Sequence, residues 1–336
     1  MTQPAEAARP GAEPPHPLTA RQDPMTDFAP SVSIILFAYN QAAFAREAAQ
    51  SCLNQDCEPI EIILSDDSSS DDTFAVLQEV AASYRGPHRV RAQRTPRNLG
   101  IGGHVNMLIQ ASSGALIVPA AGDDFSEPDR IATLLAAWRA ADCRPDLIAT
   151  HVREMSWTGE PLDVRRVDAL QDWRSAAQWA ARRPYIVGAG HAFTRRLFDR
   201  FGLYQPGVFC EDQINTFRAT VSGGAMTLDC APVRWRVGGS STHIERSEAE
   251  VREQRARRHR AWMVAEHAQL KADAAVAGVS DQVAGHLAQH YGAFLMARAL
   301  DDAQGLAAHL QVARDYPQLS TAWRYRRALQ HWWRQR

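Results

Sequence analysis

Three short runs of β-branched and aliphatic residues, Ser31–Ala38 (SVSIILFA), Ile60–Ser65 and Ala115–Ala121, each stop at a polar cluster and give way to a helical pattern. Nearly continuous apolar runs of this length suit strands buried on both faces, which belong to parallel sheets covered by helices. Shorter strand patterns lie at Arg89–Gln93 and Asp146–His151. Helical patterns fill the spaces, at Gln41–Cys52, around Phe74–Val80, at Val105–Ala111 and at Asp129–Ala140. This alternation predicts an α/β fold with a doubly wound, mostly parallel sheet. Open sheets of that kind bind ligands beyond the C-terminal ends of their strands, so the polar clusters mark the candidate site.

The cluster after the fourth strand is Gly122-Asp123-Asp124, followed by a turn-like Glu127-Pro128. Two adjacent carboxylates repel each other unless a proton or a cation separates them. Mg2+ or Mn2+ accepts such oxygens and bridges them to diphosphates. The same residues also fit a plain strand-to-helix turn whose acids cap the helix at Asp129. After the second strand comes Asp66-Asp67-Ser68-Ser69-Ser70-Asp71-Asp72-Thr73, where Asp71 or Asp72 can cap the next helix. In a parallel sheet both clusters share one rim. That rim collects Asp66, Asp67, Asp123 and Asp124, an arrangement that is costly without a ligand. A sugar nucleotide suits it: the base offers N–H donors, the ribose hydroxyls, and a metal-diphosphate positive charge.

Other nucleotide chemistries fit less well. Gly100-Ile101-Gly102-Gly103 follows the third strand, whereas a dinucleotide fingerprint follows the first. No GxxxxGK[ST] loop is present. Where a nucleotidyltransferase needs a glycine-rich basic loop, the chain has Ala38-Tyr39-Asn40-Gln41. With 37 basic and 38 acidic residues and a net charge of −1, no nucleic-acid footprint is expected. Five cysteines without a CxxC pair read as a reduced, cytoplasmic protein. No apolar stretch reaches the roughly 20 residues of a membrane span. Residues 1–30, rich in proline and poor in large apolar groups, read as a disordered tail.

Taken in order, SIILFAYNQ (33–41), LSDDSSSDDT (64–73), NLGIGGHVN (98–106), GALIVPAAGDDFSEPDRI (114–131), GAGHAFTRRLFDRFG (188–202) and EDQINTFRA (211–219) resemble the inverting family 2 glycosyltransferases of the GT-A fold. The resemblance implies a glycosyltransferase domain over residues 31–245 and a helical extension over 246–336. It places Tyr39 and Asn40 near base and ribose, and Asp66 or Asp67, beside Ser68, against the N3–H of uracil or thymine. Asn98, Gly100 and His104 fall in the donor-binding segment. Asp123 would meet the ribose or sugar and share with Asp124 a Mg2+ or Mn2+ ion on the diphosphate. His243 is a third candidate metal ligand. Asp212 would be the general base, Glu211 its support or an acceptor contact, and Gly188-Ala189-Gly190 a backbone wall beside the donor sugar.

By the same resemblance the donor is a nucleoside-diphosphate sugar, UDP- or dTDP-linked, and the acceptor a glycan or lipid-linked hydroxyl. The setting is bacterial surface polysaccharide, O-antigen or glycolipid assembly by single-sugar addition. Two departures stand out: His104-Val105 where many relatives carry Arg, and Trp235-Arg236-Val237-Gly238 where Tyr-Arg-x-His is common. They motivate an alternative, a non-catalytic GT-A-like scaffold. The last stretch, TAWRYRRALQHWWRQR, mixes Trp with Arg and holds no acid. It fits a peripheral contact with the inner membrane face, a contact within a homo-oligomer, or a helical cap on the catalytic domain.

Overall fold

A computed structural model describes residues 31–209, 211–238 and 249–334. The tail expected over residues 1–30 and His243 fall outside the described residues. The first half alternates as the apolar runs predict. Strands β1 (Val32–Ala38), β2 (Glu61–Asp66), β3 (Arg89–Arg94) and β4 (Leu116–Ala121) are separated by helices α1 (Ala42–Leu53), α2 (Thr73–Ser83) and α3 (Gly100–Ala111). The two-residue β5 (Phe125–Ser126) and helix α4 (Arg130–Ala140) lead to β6 (Leu147–Thr150), β7 (Val152–Met155) and β8 (Pro161–Arg165). Then come α5 (Ala176–Ala181), a 3-10 turn at Gly188–Gly190, β9 (His191–Thr194), α6 (Arg196–Phe201), α7 (Glu211–Thr220), β10 (Ala225–Leu228) and β11 (Val233–Arg236).

Seven strands form the main sheet in the order β10-β6-β9-β4-β1-β2-β3. β1 pairs in parallel with β2 and β4, β2 with β3, and β6 with β10. β9 runs antiparallel between β4 and β6, so the winding is mostly rather than wholly parallel. Because successive strand residues point to opposite faces, Ile35, Ile63, Ile117, Leu147 and Phe193 feed one layer of core. Ile34, Leu36, Ile62, Leu64, Val118 and Ile148 feed the other. Both layers are closed by helices, which explains runs with no polar alternation. At about 1.5–3 kcal/mol per fully buried aliphatic side chain, these layers are the main force holding the sheet.

A second sheet, β5-β11-β7-β8, packs beside the end of β4. The helical C-terminal region consists of α8 (Ala249–Ala277), α9 (Ser280–Asp302), α10 (Gly305–Asp315) and α11 (Thr321–Arg334). It is joined to the α/β part by buried polar contacts. The Arg218 guanidinium on α7 meets the Asp273 carboxylate on α8 at 2.7 and 3.0 Å, with both side chains essentially inaccessible. None of the described helices is long and apolar enough to cross a membrane.

The two capping expectations are resolved locally. Asp71 Oδ1 accepts from Thr73 N at 3.0 Å, whereas Asp72, in the N-cap position of α2, makes no side-chain cap. Asp129 stands at the start of α4 without a side-chain cap either, so capping does not account for the acids before it.

Candidate active site

The ends of β1, β2 and β3 form a tightly laced rim. Asn40, at φ 51°, donates its backbone N–H to Ser69 Oγ and accepts at Oδ1 from Ser70 N. Tyr39 beside it is 44% exposed, leaving an aromatic face open to solvent. Asp66 is fully buried: it accepts from Ser69 and pairs with Arg94 Nε at 3.0 Å. Asp67 accepts from Thr95 Oγ1 at 3.0 Å and from the backbone N–H groups of Leu99 and Gly100, both at 2.9 Å. The charge expected to await a ligand on Asp66 and Asp67 is therefore largely met from within, by Arg94 and the start of α3. Ser68 follows the two acids in the turn at φ 60°. Asn98 is exposed and donates to Asp67 O.

His104 lies beneath this rim, 2% exposed, with Nε2 2.6 Å from Ser65 Oγ. Burial lowers its pKa to about 4, against the opposing pull of Asp67 and Asp66. It is a neutral support under the rim, edge-on to Phe37.

Beyond β4 the acids are in a different state. A cavity of about 260 Å³ is lined by Asp123, Asp124, Gly188, Ala189, Glu211 and Asp212, together with Phe37, Ile101, Phe209 and Trp235. Gly122 makes the bend possible: a Cβ there would come 2.5 Å from Ala38 Cβ. Asp124 accepts at Oδ1 from Arg236 N (2.9 Å), while Arg236 Nε donates to Asp123 O (2.9 Å). Burial, and then the neighbouring Asp123, push the Asp124 pKa well up. Asp123 and Asp124 are each only 8% exposed.

Across the cavity, Glu211 and Asp212 open α7, where the unpaired N–H groups of the first turn favour negative charge. Asp212 Oδ1 accepts from Gln213 N at 2.7 Å. Burial and then Asp212 push Glu211 up to about 8; burial pushes Asp212 up to about 6. The wall between the two acid pairs is the Gly188–Gly190 turn. Gly190 is required there, since a Cβ would fall 2.7 Å from Thr150 O. His191 fixes the turn from behind. Its Nδ1–H donates to Gly188 O, so Nε2 accepts from Asn215 Nδ2 of α7 at 3.4 Å.

Two arginines complete the site. Arg130, buried at the start of α4, donates to Pro119 O (3.1 Å), Ala189 O (2.9 Å) and Ser126 Oγ (2.9 Å). Arg236, 4% exposed, also reaches Trp157 O and Glu47, and covers the Phe44 ring at 4.4 Å. Neither carries a signal of its own in the sequence: Arg236 stands in the Trp235-Arg236-Val237-Gly238 segment, and Arg130 is the second residue of the helical pattern that begins at Asp129. A larger hollow of about 490 Å³ behind the second sheet contains none of the expected residues, and its Glu127 is paired with Arg234.

With that geometry in place, residues 33–199 match the family described as Glycosyl transferase family 2. The segment is a glycosyl transferase family 2 domain.

Over 110 residues the chain is 36% identical to the chondroitin synthase of Escherichia coli, a match covering 33% of this chain and 16% of that protein. Eight curated relatives are each matched over 16 to 40% of their own length. The chain is also similar in fold to residues 1–349 of TarS from S. aureus, solved in complex with UDP-GlcNAc. That likeness has a TM-score of 0.50 at 14% identity and covers 78% of this chain and 92% of that one. A mannosyltransferase from Pyrobaculum calidifontis, PcManGT, in complex with GDP-Man and Mn2+, matches with a TM-score of 0.50 at 18% identity. There the match covers 86% of this chain and 80% of the other. Both neighbours share the GT-A arrangement, a mostly parallel sheet with helices.

Within the family 2 domain and the helix that follows it, the fold brings Asp123, Asp124, Gly188, Ala189, Glu211 and Asp212 to one cavity. Tyr39, Asn40, Asp66, Asp67, Ser68, Asn98 and Gly100 sit on the adjoining rim, and His104 beneath it.

Proposed function

We propose that this chain transfers a sugar from a nucleoside-diphosphate sugar, UDP- or dTDP-linked, to an acceptor hydroxyl, with inversion at the anomeric carbon. The observation that carries the reading is two acid pairs facing one cavity: Asp123-Asp124 beyond β4 and Glu211-Asp212 at the start of α7. Each pair suits a different half of the reaction. The first suits the diphosphate leaving group, the second an acceptor that must lose a proton.

Asp123 and Asp124 fit a divalent cation. They are neighbouring carboxylates, largely buried, and the pKa of Asp124 is raised by burial and by its partner's charge, a cost that a cation removes. Among the described residues no group of three or more His, Cys, Asp or Glu side chains could hold a metal. The remaining positions would fall to the diphosphate and water, a usual arrangement for Mg2+ or Mn2+. When bound, the ion stabilises charge on the departing diphosphate. PcManGT in complex with GDP-Man and Mn2+ supports this.

The protein's own residues supply the rest. Arg236 and Arg130 hold the Asp123-Asp124 turn and the Gly188–Gly190 wall in fixed relation. Burial raises both carboxyls, Glu211 further than Asp212, so Asp212 is the more readily ionised of the two. Asp212 is thus free to take the acceptor's hydroxyl proton as that oxygen attacks the anomeric carbon. The bond from that carbon to the diphosphate oxygen breaks, and the electron pair leaves with the nucleotide. Tyr39 and the rim at Asn40, Asp67 and Asn98 lie where the base and ribose would rest. The chondroitin synthase match supports a role in polysaccharide assembly.

Asp212→Asn tests the base. Turnover should fall by about 10²–10⁴-fold while UDP affinity stays at the wild-type value. Unchanged turnover would remove Asp212 from that role.

A further inference from the structure

Arg183 lies between α5 and the Gly188–Gly190 wall, with its side chain 17% exposed. Each nitrogen of its guanidinium has a partner. Nε donates to Gln213 Oε1 at 3.3 Å, and Nη1 to Tyr291 Oη at 3.0 Å and His290 Nε2 at 3.4 Å. Nη2 donates to the Glu266 carboxylate, and the whole fork covers the Trp179 ring at 5.0 Å. Glu266, buried on α8, also accepts from Tyr291 Oη of α9 at 2.6 Å. A planar fork held on every arm is fixed in one orientation. Its partners come from α7, α8 and α9.

The partner on α7 is the residue that follows Asp212. Gln213 holds Asp212 Oδ1 through its backbone N–H at 2.7 Å. Its side chain is itself held twice, by Arg183 and by Pro184 O, to which Gln213 Nε2 donates at 3.2 Å. The other oxygen, Asp212 Oδ2, faces the wall: a Cβ at Gly188 would lie 3.9 Å from it. One oxygen is thus anchored and the other presented to the cavity, as a group that takes a proton in a fixed geometry requires.

The charges around Asp212 come from several elements. Glu211 stands on its own helix, Glu266 on α8 and Arg183 after α5. Asp123 and Asp124 face the cavity from beyond β4. Glu266 works against the ionised form of Asp212 and Arg183 favours it. From α9, Tyr291 and His290 face Arg183, and burial and then Arg183 lower the His290 pKa, so it adds no charge at neutral pH.

We propose that Arg183 and Glu266 are positioning residues for the base: Arg183 fixes the Asp212–Gln213 turn, Glu266 and Tyr291 fix Arg183, and the C-terminal helices thereby complete the active site. The proposal rests on the transferase reading, in which Asp212 is the base. An ion pair that only fastened α8 to the domain would leave Asp212 indifferent to which of the two charges is removed. Two opposite charges beside a carboxyl act on it in opposite senses.

Urea denaturation from about pH 5 to 8 reads the ionisation of Asp212 without any substrate. All chains carry Glu211→Gln, which removes the carboxyl coupled to Asp212. Each is compared with the same chain bearing Asp212→Asn. Burial raises the Asp212 pKa to about 6, above its ordinary 3.8, so the stability difference falls as pH rises and levels off once the folded carboxyl is ionised. The levelling-off pH should move up by about one unit in Arg183→Met and down by about one unit in Glu266→Gln. Arg183→Met/Glu266→Gln should fall between them. No movement in either single variant, or movement in the same direction in both, overturns the proposal. If Arg183→Met does not fold, Glu266→Gln, which keeps an acceptor for Arg183 and Tyr291, decides alone, and an unmoved or raised value refutes it. The transferase reading fails separately: unchanged turnover in Asp212→Asn refutes the base, while opposite movements still establish the coupling to Arg183 and Glu266.

Discussion

Asp123, Asp124, Glu211 and Asp212 crowd four carboxyl groups around one cavity, and burial pushes Asp124, Glu211 and Asp212 toward their protonated forms. For Glu211 this has a testable sign. Its folded pKa, about 8, lies above the ordinary value of 4.5, so the native state holds a proton that the unfolded chain has lost between those pH values. Stability must fall as pH rises through that window. Glu211→Gln removes the effect. Its melting temperature should match wild type at pH 4 and exceed it by about 7 °C at pH 9. Equal melting temperatures at both pH values would mean that the carboxyl is solvated in the native state. At this scale the sequence was informative in one respect only. The adjacent acids at 123–124 could be read as a charge problem that needs a ligand. Glu211-Asp212 gained a role through resemblance, because an acidic pair at a helix start is chemically ordinary until the fold buries it. Arg130 and Arg236 were not legible at all, since what they do depends on carbonyls and carboxylates brought near them by β4, the Gly188–Gly190 turn and β11.

The elements were easier to read than the contacts among them. β1, β2 and β4 were evident because both of their faces are covered, which leaves the apolar run uninterrupted. β9 was not identified as a strand. His191–Thr194 is four residues long, and its antiparallel place between β4 and β6 depends on pairing across more than forty residues rather than on local pattern. The second sheet was missed for the same reason, with β5 only two residues long. The β4 turn shows how an element's end depends on a single residue. Gly122 lets the chain pass against Ala38 of β1, so Gly122→Ala must shift one backbone relative to the other. The variant should lose about 1–3 kcal/mol of stability in urea titration. Its UDP–Mn2+ affinity should fall as well, because Asp123 and Asp124 move with the turn. A loss of stability with affinity intact would show that the acids are positioned independently of the bend.

At the scale of the whole molecule, the helical C-terminal region and the family 2 domain share one structure. The boundary near residue 246 expected from the sequence follows a change in pattern, from alternating strands and helices to helices alone. Arg218–Asp273, Arg183–Glu266 and Phe209–Trp262 cross that boundary, and no single-segment pattern reveals contacts of this kind. Removing one partner of the inaccessible Arg218–Asp273 pair leaves a buried charge. Asp273→Leu should therefore cost about 3–5 kcal/mol, and Arg218→Met/Asp273→Leu should recover most of it. Chemical denaturation of the two variants measures this. A double variant no more stable than the single one would show that the pair does more than neutralise itself.

In the proposed reaction Asp123 and Asp124 hold a metal-bound nucleoside diphosphate beside a base at Asp212. The most direct measurement is a thermal-shift panel of UDP, GDP, CDP and dTDP, each with and without Mn2+, on wild type and Asp124→Ala. A ligand that binds only the native state raises its melting temperature. A Mn2+-dependent rise with UDP or dTDP is expected in wild type, and its loss in Asp124→Ala. No rise with any nucleotide, or a rise that ignores both Mn2+ and the substitution, would contradict that reaction.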